Sequence, residues 1–404
     1  MKTIEGGVCA AKGFTANGIH CGVRANKTKK DVSLIVSEKI ASAAAVYTTN
    51  AVFGAPITVT RNHLQNGRAQ ACICNSGIAN TCCAGGVEAA NRICVSAAKT
   101  LGCKAEDIII ASTGVIGMPL DPAPIEKGLP ALAAGLSANG SDAAAEGIMT
   151  TDTVKKEIAL EFELGGKTCR IGGIAKGSGM IHPNMATMLV FITCDAAISP
   201  AMLQKALSAD VKNTFNMISI DGDTSTNDMV AVMCNGCAGN KEITAEGEDF
   251  AVFMKALNTV TVNLCRMIAA DGEGATKLLE CRVNGAKTEE DAKKVAKSVV
   301  CSSLLKAAMF GADANWGRVL CAAGYSGANI DVCKIDVAFL SAAGKVAVCK
   351  SGCGVEFSEE TAKKVLSEKE IDILIDLNDG ESGSTAWGCD LTYDYVKING
   401  DYRT

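Results

Sequence analysis

One threonine in this sequence stands where a hydroxyl group could do chemistry. Residues 177–193 read GSGMIHPNMATMLVFIT, in which glycines and a proline lead to a small residue, Ala186, and then to Thr187 at the start of an apolar run. If the bond between Ala186 and Thr187 is cut, Thr187 gains a free α-amine. The ordinary pKa of that amine, about 7.7–8.0, suits a general base at neutral pH. Nucleophile and base would then belong to one residue.

The same hydroxyl could also make the cut. Attack of Thr187 Oγ on the Ala186 carbonyl converts the amide into an ester, and a strained turn can hold the two groups in reacting geometry. The glycines and Pro183 would form that turn. Spacing alone, however, favours a simpler interpretation in which Thr187 only begins a strand, because β-branched residues are common in strands.

Other catalytic or metal sites have little support in the sequence. The chain has only three histidines, too few for a multi-histidine metal site. His182 could be a base, but a surface histidine that stabilises the turn is favoured, since nothing places it within reach of a proton. Cys234 and Cys237 have the spacing of a metal or redox pair, but a second pair and the expected strand–helix context are missing. We therefore expect no metal site.

Two loops resemble ligand motifs but lack essential residues. In residues 172–178 the lysine precedes the glycine and serine, whereas a phosphate loop needs glycine, then lysine, then serine or threonine. Residues 221–232 resemble a calcium loop, but Thr226 stands where glycine is required and Val232 where a bidentate glutamate is required. A polar turn between two strands is the expectation for residues 221–228.

Length and charge limit the class of protein. With 404 residues and 48% apolar content, the chain is long enough for two lobes with buried cores. The net charge of −5 is spread along the chain without a basic stripe, so we expect no nucleic-acid partner. The chain shows no signal-length or membrane-length apolar segment, which predicts a cytoplasmic protein without membrane contact. The twenty cysteines are expected to be reduced, buried residues.

Short apolar strands alternate with alanine-rich helices, which predicts an α/β or α+β fold. The predicted strands are 31–38, 44–49, 69–75, 107–113, 186–193, 217–221, 228–234 and 371–377. The predicted helices are 86–102, 199–211, 248–272 and 288–311. The C-terminal residues 393–404 alternate between apolar and polar types, as a strand does.

Five blocks, in this order along the chain, resemble the glutamate N-acetyltransferase (ornithine acetyltransferase) family of arginine biosynthesis. They are DIIIASTGVIG (107–117), MTTDT (149–153), KGSGMIHPNMATM (176–188), DGEGATK (271–277) and INGDYRT (398–404). The stretches 74–86, 219–228 and 311–318 are also similar to that family. The pair Cys82 and Cys83 departs from it, because small residues are expected there, but this pair is not at a catalytic position.

The resemblance implies an N-terminal-nucleophile-like fold with layered sheets and helices. It also implies that the chain cuts itself between Ala186 and Thr187. The α chain would be residues 1–186 and the β chain residues 187–404. The two chains would stay together as one folded unit, most simply in an α₂β₂ heterotetramer.

The resemblance assigns roles to individual residues. Thr187 would be the nucleophile, and the Thr113 hydroxyl and the Gly114 N–H would form the oxyanion hole. The implied substrate-binding residues are Thr151 (with Thr150 as second choice), Lys176, Thr187, Glu273, Asn399 and Thr404. Lys176 and Glu273 offer charges that complement the carboxylate and ammonium groups of an amino acid.

The implied reaction is a ping-pong acetyl transfer. Thr187 would take the acetyl group from N²-acetylornithine, ornithine would leave, and glutamate would then become N-acetylglutamate, with no cofactor. Whether acetyl-CoA is also a donor stays open, as does the alternative of an aminopeptidase-like hydrolase or a non-catalytic binding protein. The C-terminal tail is expected to fold over the pocket, so that Asn399 and Thr404 contact the substrate.

Overall fold

The computed structural model describes residues 1–182 and 188–401. Within this part of the chain, strands form two β-sheets and helices pack on their faces. The strands are β1 Lys2–Ile4, β2 Phe14–Ile19, β3 Val32–Tyr47, β4 Arg68–Ile78, β5 Ile108–Val115, β6 Lys156–Leu164, β7 Lys167–Lys176, β8 Leu189–Cys194, β9 Ile218–Ser219, β10 Met229–Cys234, β11 Leu278–Ala286, β12 Asp336–Ser341, β13 Gly344–Lys350, β14 Cys353–Gly354, β15 Glu370–Asp376 and β16 Ser382–Cys389. The helices are α1 Ala55–His63, α2 Gly86–Leu101, α3 Ala123–Ala134, α4 Ser141–Ile148, α5 Pro200–Asp210, α6 Glu248–Ala270, α7 Glu289–Cys301, α8 Ser303–Phe310, α9 Trp316–Gly324, α10 Glu359–Leu366 and α11 Tyr393–Gly400.

The first sheet has the strand order β1-β6-β7-β8-β10-β3-β4-β5, with β2 beside β3. Its central strands β8 and β10 run parallel to each other, and every residue in both is buried. Both faces of the sheet are covered at these strands. Val190 packs in the core on the side of α5 and α6, and its neighbour Phe191 packs on the opposite side, with α4. A strand covered on both faces loses the alternation of apolar and polar residues, as these two strands do.

The second sheet has the strand order β14-β13-β12-β15-β11-β16-β9, and α7 packs against β16 and β11. The long helix α6 contacts β6 and β7 of the first sheet and β11 and β16 of the second. One continuous apolar core therefore joins the two lobes through α6. The predicted α/β architecture with two lobes and layered sheets is confirmed.

Strands β7 and β8 form an antiparallel pair in which Lys176 is opposite Leu189. The connection between them contains residues 183–187, which lie outside the described part of the chain. The strand predicted at 186–193 is found as β8, and its first described residue is Leu189. Beyond β8 the sheet continues with β10 and β3. Strands from both sides of this connection therefore share one sheet.

Most of the remaining predicted elements are confirmed, with ends that differ by a few residues. They are the strands at 69–75, 107–113, 228–234 and 371–377 and the helices at 86–102, 199–211 and 248–272. The predicted strand at 217–221 is reduced to β9, which has two residues.

Three predictions of local structure are wrong. The strands at 31–38 and 44–49 are one strand, β3, whose exposed residues 38–40 look like a break in the sequence. The predicted helix 288–311 is interrupted at Ser302, whose side chain accepts a hydrogen bond from the Leu305 N–H and caps α8. The tail predicted as a strand forms helix α11, which has no buried residue and hence no clear apolar periodicity.

The cysteines are free thiols, and most are buried, but Cys82, Cys321, Cys333 and Cys353 are exposed, contrary to the expectation for those four. Cys82 lies in a loop, Cys321 within α9 and Cys353 in the two-residue strand β14. Among the described residues, no helix combines the length and apolar character needed to span a membrane.

Candidate active site

A cavity of about 270 Å³ lies where β5 and β7 end, beside the start of β8. The predicted site residues that line it are Thr113, Gly114, Thr150, Thr151, Lys176, Glu273 and Asn399. They come from five separate blocks of the sequence, which the fold brings together. Ala186, Thr187 and Thr404 lie outside the described residues, but Met188, which follows Thr187 in the chain, also lines the cavity.

The predicted oxyanion pair sits at the end of β5. Gly114 is paired with Gly77 of the parallel neighbour β4, and its φ angle is +130°. A Cβ atom at Gly114 would lie 2.2 Å from the carbonyl carbon of Gly77, so only glycine fits there. Lys176 Nζ donates a 3.3 Å hydrogen bond to Thr113 Oγ1. The Thr113 hydroxyl and a backbone N–H at Gly114 are the types of donor that stabilise a developing oxyanion.

Glu273 and Asn399 form a second polar group in the same cavity. Asn399 Nδ2 donates a 2.8 Å hydrogen bond to Glu273 Oε2, so the amide of α11 and the carboxylate are in contact. Glu273 is 8% exposed. A Cβ atom at Gly179 would lie 2.3 Å from the Glu273 carboxylate, and any larger residue there would displace it. This explains a glycine at position 179 of the GSG block.

A buried ion cluster ties three of the site's loops together. Lys156 is 0% exposed, and its ammonium group donates to Asp152 Oδ1 at 2.7 Å and to Asp271 Oδ2 at 2.5 Å. Asp152 in turn accepts from the Thr150 N–H and, at 2.7 Å, from the Gly177 N–H. The cluster therefore fixes the MTTDT loop, the end of β7 and the DGEG loop relative to one another.

The electrostatics of this cluster keep Asp152 ionised. Burial acts to raise the pKa of this carboxyl group, but the Lys156 and Lys176 ammonium groups and a hydrogen bond from the Gly177 N–H outweigh it and lower the pKa to about 2. A buried charge with compensating partners is costly to disturb, since removal of one partner leaves the other uncompensated. Sequence reasoning missed Lys156, because a lysine at the start of a strand looks like a solvent-facing residue.

The turn at 221–228 is polar, as predicted, but its last residues belong to the site. Asn227 Nδ2 donates to the carbonyl oxygens of Ala79 and Ser112, at 2.6 and 2.9 Å, and its Oδ1 accepts from Thr81 Oγ1. Asn227 thereby joins this turn to the chain around β4 and β5. The sequence feature that could have identified these residues is their position directly before β10, in which every residue is apolar.

Asp228 was also missed by sequence reasoning. It is 2% exposed and lines the cavity, and its Oδ2 has no hydrogen-bond partner among the described residues. Burial raises the pKa of this carboxyl group well above its ordinary value, although Ser225, Lys176 and Thr48 act in the opposite direction. The cavity therefore contains a carboxyl group whose environment favours the protonated form more than water does.

His182 is neither a surface histidine nor part of the cavity wall. It is half-buried, and its Nδ1 lies 3.0 Å from Ser219 Oγ and 3.5 Å from Cys301 Sγ. Burial and the nearby Lys297 ammonium group lower the pKa of His182 to about 4, so the imidazole is neutral at pH 7. The favoured expectation of a turn-stabilising surface residue is therefore wrong about its exposure.

In the described ranges, no three histidine, cysteine, aspartate or glutamate side chains are arranged to hold a metal ion. Cys234 and Cys237 have the spacing of a metal or redox pair. Cys237 Sγ lies 3.1 Å from Glu38 Oε1, and Cys234 is buried in β10. The polar side chains that line the cavity carry threonine and serine hydroxyls, two amides, an ammonium group and carboxyl groups. These groups can bind an amino acid and stabilise an oxyanion.

Comparison with known proteins shows the family of this chain. The model of the ArgJ family matches residues 15–404. The arginine biosynthesis bifunctional protein ArgJ of Caldanaerobacter subterraneus subsp. tengcongensis is 50% identical over 405 residues, covering 100% of both chains. That of Bacillus subtilis is 48% identical over 403 residues, which is 99% of this chain and 97% of that protein.

A solved structure is similar to part of the chain. The crystal structure of arginine biosynthesis bifunctional protein ArgJ from Bacillus halodurans is 49% identical to this chain, with a TM-score of 0.50. The match covers 52% of this chain and 98% of that chain. With a family model that spans nearly the whole sequence and relatives at half identity over full length, this chain belongs to the ArgJ family of arginine-biosynthesis enzymes.

Proposed function

We propose that this enzyme transfers an acetyl group from N²-acetylornithine to glutamate through an acetyl ester on Thr187. One observation carries the proposal, namely the single cavity that gathers Thr113, Gly114, Lys176 and Glu273 beside Met188. The residue before Met188 is Thr187, so the first residue of the proposed β chain is bonded directly to the cavity wall.

The charges of the cavity suit amino-acid substrates. N²-acetylornithine and glutamate both carry an α-carboxylate, for which the Lys176 ammonium group is a partner. The Glu273 carboxylate is a partner for the side-chain ammonium group of ornithine. Because Asn399 already donates to Glu273, the tail helix α11 holds this carboxylate in place. We assign Thr150 and Thr151 jointly to substrate contact, since both line the cavity.

The proposal includes a cut between Ala186 and Thr187, made by the threonine itself. Strands β8 and β10 of the proposed β chain lie between β7 and β3 of the proposed α chain, so main-chain hydrogen bonds would hold the two together after the cut. The matched chain of the Bacillus halodurans structure corresponds to about half of this chain, which is the size of piece that such a cut leaves. Two such pairs would make the α₂β₂ assembly.

The proposed reaction has two steps, acetylation of Thr187 and transfer of the acetyl group to glutamate. Thr187 Oγ bonds to the acetyl carbon, the C–N bond to ornithine breaks, and the hydroxyl proton passes through the α-amine of Thr187 to the leaving amine. The glutamate amine then bonds to the same carbon, the ester C–O bond breaks and Thr187 regains its proton. In both steps the oxyanion lies against Thr113 and Gly114, whose donors are fixed before the reaction.

A substrate assay tests this function against hydrolysis by an enzyme with the same kind of nucleophile. With N²-acetylornithine and glutamate, the purified enzyme should produce ornithine and N-acetylglutamate in equal amounts. Without glutamate, ornithine release should stop near one equivalent per site. The Glu273→Gln variant keeps the shape but loses the charge, so kcat/KM should fall on the order of ten- to a hundredfold.

Continuous acetate release in the absence of glutamate would show a hydrolase instead. Absence of any acetyl transfer by the cut enzyme would favour a binding protein. The variant Lys104→Glu is the matched surface control, because Lys104 is exposed and lies outside the cavity lining. It should leave both rates unchanged.

A further inference from the structure

The proposed acetyl exchange must also move a proton between its two amino-acid substrates. Free glutamate carries its α-amino group mainly as an ammonium ion near neutral pH, and an ammonium ion has no lone pair with which to attack an ester. Ornithine is set free as a neutral amine and becomes an ammonium ion in turn. Each turnover therefore takes one proton from the arriving glutamate and gives one to the departing ornithine. A group that stores this proton has to lie beside the reacting nitrogen.

In the proposed function, two contacts locate the reacting nitrogen within the cavity. Lys176 is the partner of the substrate's α-carboxylate, and the nitrogen is bonded to the carbon atom next to that carboxylate. The same ammonium group donates to Thr113 Oγ1 at 3.3 Å, where the acetyl oxygen develops its charge. The nitrogen joins the acetyl group to the α-carbon. It therefore lies on the side of the cavity that Lys176 occupies, and a proton store must reach this side.

The cavity has few groups that could store a proton. Among its described lining residues, the titratable side chains are Lys176, Asp228 and Glu273. Glu273 already accepts a hydrogen bond from Asn399 and is the proposed partner of ornithine's side-chain ammonium group. The Lys176 ammonium group acts electrostatically on the Asp228 carboxyl group, so these two lie on the same side of the cavity. Asp228 is thus the carboxyl group beside the reacting nitrogen that still has no role.

The backbone at Asp228 is fixed, but its side chain has an oxygen to offer. Its carbonyl oxygen accepts from the Thr48 N–H at 3.1 Å, and the next residue, Met229, donates its N–H to the Met188 carbonyl oxygen at 2.9 Å. Asp228 is therefore held beside the start of β8. It is 2% exposed, and its Oδ2 has no hydrogen-bond partner among the described residues. Because a buried polar atom without a partner is costly, a substrate N–H that supplies one is favoured there.

The surroundings of Asp228 suit a group that gains and loses a proton. Burial raises the pKa of its carboxyl group well above the ordinary value. Ser225, the Lys176 ammonium group and Thr48 act to lower the same pKa. Burial thus stabilises the neutral acid, while the lysine and the two hydroxyl groups stabilise the carboxylate. A group that alternates between acid and base works best when neither form is strongly disfavoured at the working pH.

We propose that Asp228 is a further catalytic residue, which takes a proton from the ammonium group of glutamate and gives it to the amine of ornithine in the next turnover. This proposal rests on the proposed function. When ornithine is released, the Asp228 acid passes its proton to the α-amine and becomes a carboxylate. When glutamate enters, the carboxylate takes a proton from the ammonium group and becomes the acid again. The neutral amine then bonds to the acetyl carbon, and the protons balance over the cycle.

The Asp228→Asn variant tests this role, because asparagine has the shape of the acid but cannot take up a proton. Its kcat/KM for glutamate should fall about a hundredfold at about pH 7, the scale of an acid–base group. The value should then rise about tenfold per pH unit up to about pH 9, as the solution supplies more neutral amine. Release of the first equivalent of ornithine should stay within about threefold of the wild-type rate, since the departing amine can take a proton from water.

Hydroxylamine as the acceptor separates proton transfer from a structural effect. It is mainly a neutral amine at neutral pH, so the variant should acetylate it within about threefold of the wild-type rate. Asp210→Asn is the matched control, because it makes the same change at a buried aspartate outside the cavity lining, and it should keep the wild-type pH profile. Equal losses with glutamate and hydroxylamine, or a loss with glutamate that does not depend on pH, would overturn the role of Asp228.

The wild-type enzyme provides the test if Asp228→Asn fails to fold or to cut itself. Its kcat/KM for glutamate should stay level between about pH 7 and about pH 9, because the enzyme itself removes the proton. A rise of about tenfold per pH unit in the wild type would overturn the proposal, since the solution would then be supplying the neutral amine. Absence of acetyl transfer from N²-acetylornithine to either acceptor by the wild-type enzyme would instead refute the proposed function.

Discussion

The Thr187→Ala variant is expected to accumulate as a folded, full-length and inactive chain. The variant loses the hydroxyl that makes the cut and the hydroxyl that carries the acetyl group, which in our proposal are the same atom. Acetyl transfer should fall by more than about a thousandfold, the scale of loss when a covalent nucleophile is removed. A denaturing gel measures chain length, a circular dichroism melt measures folding, and the transfer assay measures activity.

Folding of this variant is expected because its surrounding strands do not depend on residue 187. Strands β7 and β8 pair through residues 171–176 and 189–194, on either side of the connection. Thr187→Ser is the matched control, since it keeps a hydroxyl and should still be cut and show activity. Cleaved or active Thr187→Ala protein would remove Thr187 from both roles.

Deletion of residues 399–404 should separate acetyl transfer from self-cutting. The deletion removes the Asn399 amide that donates to Glu273 and leaves Thr113 and Gly114 in place. Without this contact and the tail that follows it, substrate orientation should suffer. We expect transfer to fall on the order of a hundredfold or more, while the cut remains complete. Steady-state kinetics with N²-acetylornithine and glutamate, beside a gel, measure both.

Stability should change little in this truncated enzyme, because α11 has no buried residue. Its first residues remain anchored, since Thr392 Oγ1 donates to the Gly274 carbonyl oxygen at 2.7 Å. Asn399→Ala is the companion variant, which removes the amide alone. Its rate of acetyl transfer should also fall, but by less than that of the truncated enzyme. Near-normal transfer by both variants would exclude Asn399 and Thr404 from the site.

The sequence was most informative where a backbone constraint and a chemical role coincide. Gly114 was expected from the ASTGVIG block, and the structure gives a physical reason, its contact with Gly77. Lys176 and Glu273 were expected to serve one substrate, and both line one cavity. Strands β5 and β7, which position Gly114 and Lys176, end at that cavity, and β5 was predicted from its apolar run.

Features that depend on distant partners could not be predicted in this way. Lys156 is buried only because Asp152 and Asp271 approach it, and Asp271 lies 115 residues away in sequence. Asp228 read as the end of a polar turn, because its burial depends on how β10 enters the sheet. The tail helix was misread as a strand, since a helix that buries no side chain leaves no periodic signal.

The most direct test of the central claim is the intact mass of the purified enzyme before and after mixing with N²-acetylornithine in the absence of glutamate. Our account predicts two chains, one of which begins with TMLVF and gains the mass of one acetyl group. Fragmentation should place that group on Thr187, and added glutamate should remove it. A catalytically active enzyme that is a single uncut chain, or one that carries the acetyl group on another residue, would contradict the account.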